Sequence, residues 1–317
     1  MGSHKAGVKD WIYRQYDQRV GSSTSQDCSK PVGAIALPSG RALGVVLGCR
    51  PHIMRLDAYV GGVDSIFYPA IELASKGFEA LAVTDCLNFG NPEKKEVMTE
   101  FVASLDGMNK ACEALVTPII SGNVSFYNET FDKGISPTPS TGLVGLRPTI
   151  ENIPESSFRA EGDMIYLITL GTSKASGYQS EVFKEEKKLE FDENLSELAQ
   201  KTKELCQLVQ AGQVNASRIS GNFGLAYTLS RMSLSGLGAE VHCEEDYFTE
   251  SFYRVILTVP PKKAHDFETV LKKTSLSWKE MGRVKGSKLV WRGLQADVET
   301  LRNAYEQSWD KAFPRLS

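Results

Sequence analysis

Between Asp64 and Lys76 apolar residues recur at helical spacing, at Ile66, Ala70, Ile71, Leu73 and Ala74, and Gly77 closes the stripe. A second, longer stripe runs from about Glu93 to Leu115 through Val97, Phe101, Leu105, Met108, Ala111, Cys112 and Leu115. Between the two, Glu79 to Thr84 is short, apolar and alanine- and valine-containing, and it predicts a buried strand. The strand runs into Asp85 to Pro92, a polar stretch with Gly and Pro punctuation that predicts a loop. Pro118 to Ser121 predicts another short strand, Thr130 to Thr141 a loop, and Thr141 to Arg147 a Gly-interrupted strand. Pro148 to Gly162 is polar, contains Pro154 and is the best domain boundary.

The second half opens on Asp163 to Leu170, a strong strand pattern. Helices are expected at Leu195 to Val209, Leu225 to Leu234, Lys262 to Lys273 and Gln295 to about Trp309. Strands are expected at Phe252 to Val259, which Pro260 and Pro261 stop, and near Trp278 and Leu289. Mixed helices and strands without a strict alternation predict an α+β (α/β layered) architecture. Its two domains span 11–150 and 160–317; residues 1–10 are polar and are set aside as a tag remainder or disordered terminus.

Composition narrows the function classes. The 317 residues carry 36 Lys plus Arg against 39 Asp plus Glu, a net charge of -3, which argues against nucleic-acid binding by electrostatics. No apolar run reaches the ~18 residues of a membrane helix, and no export signal opens the chain, so a cytoplasmic protein with no membrane partner is expected. The six cysteines form no C-x-x-C pair, which removes zinc-ribbon and thioredoxin-type chemistry.

Two loops could carry chemistry. Thr84 to Pro92 and Ser121 to Ser125 each leave a short strand and present carboxylate, amide and hydroxyl groups beside a glycine. Such oxygens suit Mg²⁺, which takes one or two protein ligands alongside phosphate oxygens, and a glycine lets a phosphate approach the backbone. Read from the residues alone, turns and helix caps explain both loops better, and neither matches a Walker or Rossmann fingerprint.

The words T-D-C-L-N-F-G-N-P-E-K (Thr84 to Lys94) and S-G-N-V-S-F-Y-N-E (Ser121 to Glu129) resemble phosphoribosylformylglycinamidine synthase, of the AIR-synthetase-like superfamily. Trp11 to Asp17, Leu56 to Gly62, Pro137 to Pro139 and Gly142 to Gly145 resemble neighbouring segments of its second half, as does the C-terminal Leu301 to Trp309. The resemblance implies a paired N-terminal and C-terminal AIR-synthetase-like domain. It also implies an ATP-dependent ligase of purine biosynthesis: ATP phosphorylates the amide oxygen of formylglycinamide ribonucleotide, and ammonia from a glutaminase subunit displaces the phosphate. Carried over by motif, Asp85 and Gly122 bind ATP, Asn123 holds Mg²⁺ and Ser125 contacts substrate.

Departures from the family bear on activity. The family enzyme is about twice as long, and its catalytic histidine lies in the first half. His4, His52, His242 and His265 offer no substitute, so no catalytic residue is assigned here. The family's H-D-x-S-D-G-G-L aligns with Arg218 to Leu225 without its acids, and an acidic D-x-N-P-R-Y run aligns with Gly48-Cys-Arg-Pro-His-Ile53. The expectation is therefore a C-terminal half, inactive alone, that pairs with the N-terminal half or as a homodimer. The alternatives are a non-catalytic nucleotide-binding or assembly module and a stand-alone relative such as AIR synthetase.

Overall fold

A computed structural model describes residues 1–176, 184 and 188–314. In the first domain the main elements are β1 (Thr24–Gln26), β2 (Gly33–Ala36), β3 (Ala42–Gly48), α1 (Ala58–Ser75), β4 (Glu79–Asn88), α2 (Lys95–Leu115), β5 (Ile119–Ser121), β6 (Val124–Ser125) and β7 (Thr138–Arg147). They build one sheet in the order β1-β2-β3-β7-β4-β5, with β6 also pairing β4. β7 lies antiparallel between β3 and β4, whereas β5 and β6 run parallel to β4.

Both helices lie on one face of this sheet. α1 begins at Ala58, six residues before the expected start, because Asp57 caps it by accepting the Val60 N–H at 2.9 Å. Glycines weaken the helical pattern there but are required by packing: a Cβ on Gly62 would lie 2.2 Å from the Ser104 carbonyl oxygen, and one on Gly107 would lie 2.1 Å from that of Tyr59. The two helices therefore touch backbone to backbone. Ile66, Phe67, Ile71 and Leu73 are fully buried toward the sheet and its neighbours.

β4 differs from the expectation more. It continues through Asp85, Cys86, Leu87 and Asn88, which were expected to be loop, because both neighbours hydrogen-bond it. Asp85 pairs with Thr141 on β7, and Leu87 and Asn88 pair with Val124 and Ser125 on β6. β7 likewise starts at Thr138, within the expected loop.

The second domain contains β8 (Met164–Thr169), α3 (Leu195–Gln210), β9 (Ala216–Ser220), α4 (Gly224–Met232), β10 (Ala239–Val241), β11 (Arg254–Val259), α5 (Pro261–Leu271), β12 (Ser277–Val284), β13 (Lys288–Trp291), β14 (Leu294–Asp297) and α6 (Val298–Glu306). Its sheet runs β9-β11-β8-β12-β10-β13-β14, with only the β10–β13 pair parallel. β8 is covered on both faces, which accounts for its continuous apolar run. Tyr166 and Ile168 join the core shared with the first domain, and Ile165 and Leu167 join a second core under α4. The expected final helix is split: Leu294–Asp297 is strand, and the helix starts at Val298.

Two buried clusters fasten the domains together. Lys76, with 0% exposure, ends α1 and donates to the carbonyls of Pro154, Glu155 and Ser217 at 3.0, 2.9 and 2.6 Å. Arg50, 6% exposed, binds Asp64 through two nitrogens at 2.8 and 2.5 Å and reaches Glu250 of the second domain at 2.5 Å. Residues 1–9 also pack rather than trail: Ala6 is buried, its carbonyl accepts from the Tyr227 hydroxyl, and Lys9 lies over the Trp309 ring. Among the described residues no helix is long and apolar enough to cross a membrane.

Candidate functional site

β4 positions the site, because successive side chains of a strand point to opposite faces. Val83, Asp85 and Leu87 point toward the helices, and Val83 and Leu87 are buried there. Thr84 and Cys86 point to the open face and are exposed. The 121–125 turn repeats this division. Gly122 sits over the Asp85 carboxylate, so closely that a Cβ there would lie 2.3 Å from Asp85 Oδ1. On the open face Ser121 Oγ meets Thr84 Oγ1 at 2.8 Å, and Asn123 Nδ2 lies 3.7 Å from Cys86 Sγ.

The structure thus brings Asp85 and Gly122 together and directs the Asn123 side chain to the other face. Burial raises the Asp85 carboxyl above its ordinary range, against the pull of the Asn123 backbone N–H. Burial also pushes the neighbouring Cys112 thiol up to about 11, and the Asp85 charge adds to that. Ser125 is held by its own loop: Asn128 Nδ2 donates to its Oγ at 3.1 Å and to the Phe89 carbonyl at 2.9 Å.

An ion pair missed in the sequence reading closes the site's outer rim. Lys94 Nζ lies 2.9 and 3.0 Å from the two Glu129 carboxylate oxygens, and the Asn91 N–H reaches the same carboxylate at 3.1 Å. The Lys94 hydrogen bonds, then that of Asn91, hold Glu129 below the usual carboxylate range. The signal was available: the lysine ends the first motif and the glutamate ends the second.

The two divergent motifs are structural. In Gly48 to Ile53, Arg50 is spent on Asp64 and Glu250, and His52 Nε2 lies 3.0 Å from Glu250. In Arg218 to Leu225, Phe223 and Gly224 both take positive φ, 69° and 71°. The start of α4 is filled by the 247–249 segment: Ala226 N donates to the Tyr247 carbonyl at 2.8 Å, and a Cβ on Gly224 would lie 2.6 Å from the Thr249 carbonyl. The Ala226 N–H is therefore not available to a phosphate.

Among the described residues no three His, Cys, Asp or Glu side chains group as a metal site. The Asn123 carbonyl oxygen is a single neutral hard donor, which fits Mg²⁺ delivered with phosphate rather than an ion held by protein alone.

Residues 34–147 match the family model for the N-terminal domain of AIR synthase related protein, and residues 160–291 match its C-terminal domain. The chain belongs to the AIR synthase related proteins. This assigns the paired-domain fold expected from the motifs. Among solved structures, phosphoribosylformylglycinamidine synthase II of Thermotoga maritima is similar at 19% identity and TM-score 0.62, over 87% of this chain and 40% of that one. T. maritima PurL complexed with FGAR is similar at 17% identity and TM-score 0.71, over 94% and 50%. AaThiL complexed with AMPPCP and TMP is similar at 16% identity and TM-score 0.61, over 93% and 96%. The chain therefore spans 40–50% of the two T. maritima structures, and at these identities the likeness is one of fold.

Proposed function

We propose that this AIR synthase related chain is the C-terminal half of a phosphoribosylformylglycinamidine synthase and supplies a nucleotide-binding edge to an active site completed by the N-terminal half. The observation that supports this best is the fit of Gly122 over Asp85, where the bare backbone of the second motif packs on a carboxylate of the first. In this reading the packing of Gly122 on Asp85 fixes the turn against which ATP binds, Ser125 contacts substrate, and Asn123, on the open-face side of the same turn, would hold the Mg²⁺ that neutralises phosphate charge. The chain's own work is placement: β4 fixes Asp85, the turn presents bare backbone, and the Lys94–Glu129 pair keeps the two loops together.

The open face of the first sheet supports the partner assignment. Leu47 is 79% exposed and Val45 and Leu81 are also exposed on strands otherwise packed into the core. A chain spanning half of the synthase structures leaves a second domain pair as the matching occupant. Ammonia then comes from a glutaminase subunit, and location in the cytoplasm follows from that pathway.

Mixing the purified chain with the N-terminal half, ATP, Mg²⁺, ammonia and formylglycinamide ribonucleotide tests the proposal. Amidine formation should need both halves; synthesis by this chain alone overturns it. A second reading, a non-catalytic nucleotide-binding module, is favoured by the filled start of α4, and a well-formed but inactive complex of the two halves would select it.

A further inference from the structure

Cys86 stands inside the first motif but has no role in the proposed function. Its thiol is exposed on the open face of β4, between two asparagine amides. Asn88 Nδ2 lies 3.7 Å from Cys86 Sγ but is already committed, donating to the Cys86 carbonyl at 2.8 Å and to the Thr138 carbonyl at 3.2 Å. Asn123 differs. Among the described residues its side chain makes one hydrogen bond, from Nδ2 to Cys86 Sγ at 3.7 Å. An exposed asparagine tethered by its nitrogen points its carbonyl oxygen away from the tether, whereas the Ser121 and Thr84 hydroxyls on this face are engaged with each other at 2.8 Å.

We propose that Cys86 is a positioning residue: its sulfur accepts the Asn123 amide N–H and thereby aims the Asn123 oxygen outward as a cation ligand. This rests on the reading of Asn123 as the Mg²⁺ ligand. The backbone around Asn123 is held independently, since Asn123 N donates to the Asp85 carbonyl at 3.2 Å and Leu87 N to the Asn123 carbonyl at 2.7 Å. Loss of the thiol therefore frees the side chain without releasing the turn. A sulfur acceptor is weak, so the effect is modest. Serine, which also accepts an N–H, preserves it in part.

Two measurements on the full chain test this separately. In spectra of protein carrying ¹⁵N-asparagine, with the Asn123 side-chain amide identified through Asn123→Asp, Cys86→Ala should move that amide pair to the position of a free, mobile side chain. Cys86→Ser should keep it dispersed. An Asn123 amide pair unchanged in Cys86→Ala overturns the proposal, whatever the protein binds. The second measurement is Mg²⁺ titration at fixed ATP, followed by calorimetry. Cys86→Ala should raise the Mg²⁺ concentration needed by about three-fold, within the roughly two- to five-fold one such bond carries, with magnesium-free ATP binding unchanged and Cys86→Ser close to wild type. Equal Mg²⁺ dependence in wild type and Cys86→Ala also overturns it. Wild-type protein that binds ATP without regard to Mg²⁺ would instead sink the reading of Asn123 as a metal ligand, while the amide spectra still decide the tether.

Discussion

Gly122→Ala is the sharpest perturbation of the site, because it adds one carbon where a carboxylate already sits. The new Cβ would lie 2.3 Å from Asp85 Oδ1, 3.0 Å from Cγ and 3.2 Å from Oδ2. Gly122 has no left-handed φ, so alanine is acceptable to the backbone and the clash alone decides the outcome. Restoring an ordinary contact requires the carboxylate or the turn to retreat by roughly 1 Å. Overpacking of this kind costs about 1–3 kcal/mol, and the exposed turn places the expected loss near the lower end, about 1 kcal/mol by urea denaturation. ATP affinity should fall about ten-fold as Asp85 leaves its place. In an Asp85→Ala background the carboxylate is gone, and the same glycine substitution should cost less than about 0.5 kcal/mol. Equal destabilisation in both backgrounds would refute the contact as the cause.

Other consequences follow from the domain junction and the open sheet. Arg50→Met leaves Asp64 and Glu250 buried without their partner and should destabilise the fold by about 3–5 kcal/mol in urea. Burial opposes ionisation of Glu250, but Arg50 and His52 prevail and hold it below the ordinary range. Its contribution is therefore present above about pH 4.3 and lost as pH falls through the lower folded value, an acid loss that Glu250→Gln should flatten. Burial pushes the Lys76 ammonium well below the usual lysine range. Between about pH 7 and pH 10.4 the unfolded chain then holds more protons, so stability should rise with pH through that window, and Lys76→Met should remove the slope. Leu47→Arg should leave stability within about 0.5 kcal/mol yet abolish pairing with the N-terminal half in sedimentation; unchanged pairing would move the interface elsewhere.

Much of the fold was legible because burial and period agreed. The stripes of α1 and α2, the doubly covered β8 and the proline stop after β11 all follow from local pattern. The failures have physical causes. Asp85 to Asn88 looks like a loop because of Asp85, Asn88 and the Gly and Pro that follow, yet its backbone is satisfied by β6 and β7, and pairing with distant strands is invisible locally. The start of α1 was hidden by Gly61 and Gly62, whose purpose is contact with Met54 and Ser104. At the site, motif words assigned Asp85 and Gly122 to the same ligand, but only strand pairing and alternation show that the two pack together and that Asn123 lies on the opposite face with Cys86. The lost acids of Gly48 to Ile53 and Arg218 to Leu225 became intelligible through Glu250 and the 247–249 segment, far away in sequence.

Hydrogen exchange with and without Mg-ATP, read by peptide mass, tests the placement of the nucleotide most directly. Protection should centre on 84–91 and 121–128 and should be reduced in Asp85→Ala. Protection centred on 221–226 instead, or none in the complex with the N-terminal half, would contradict a nucleotide edge built on β4.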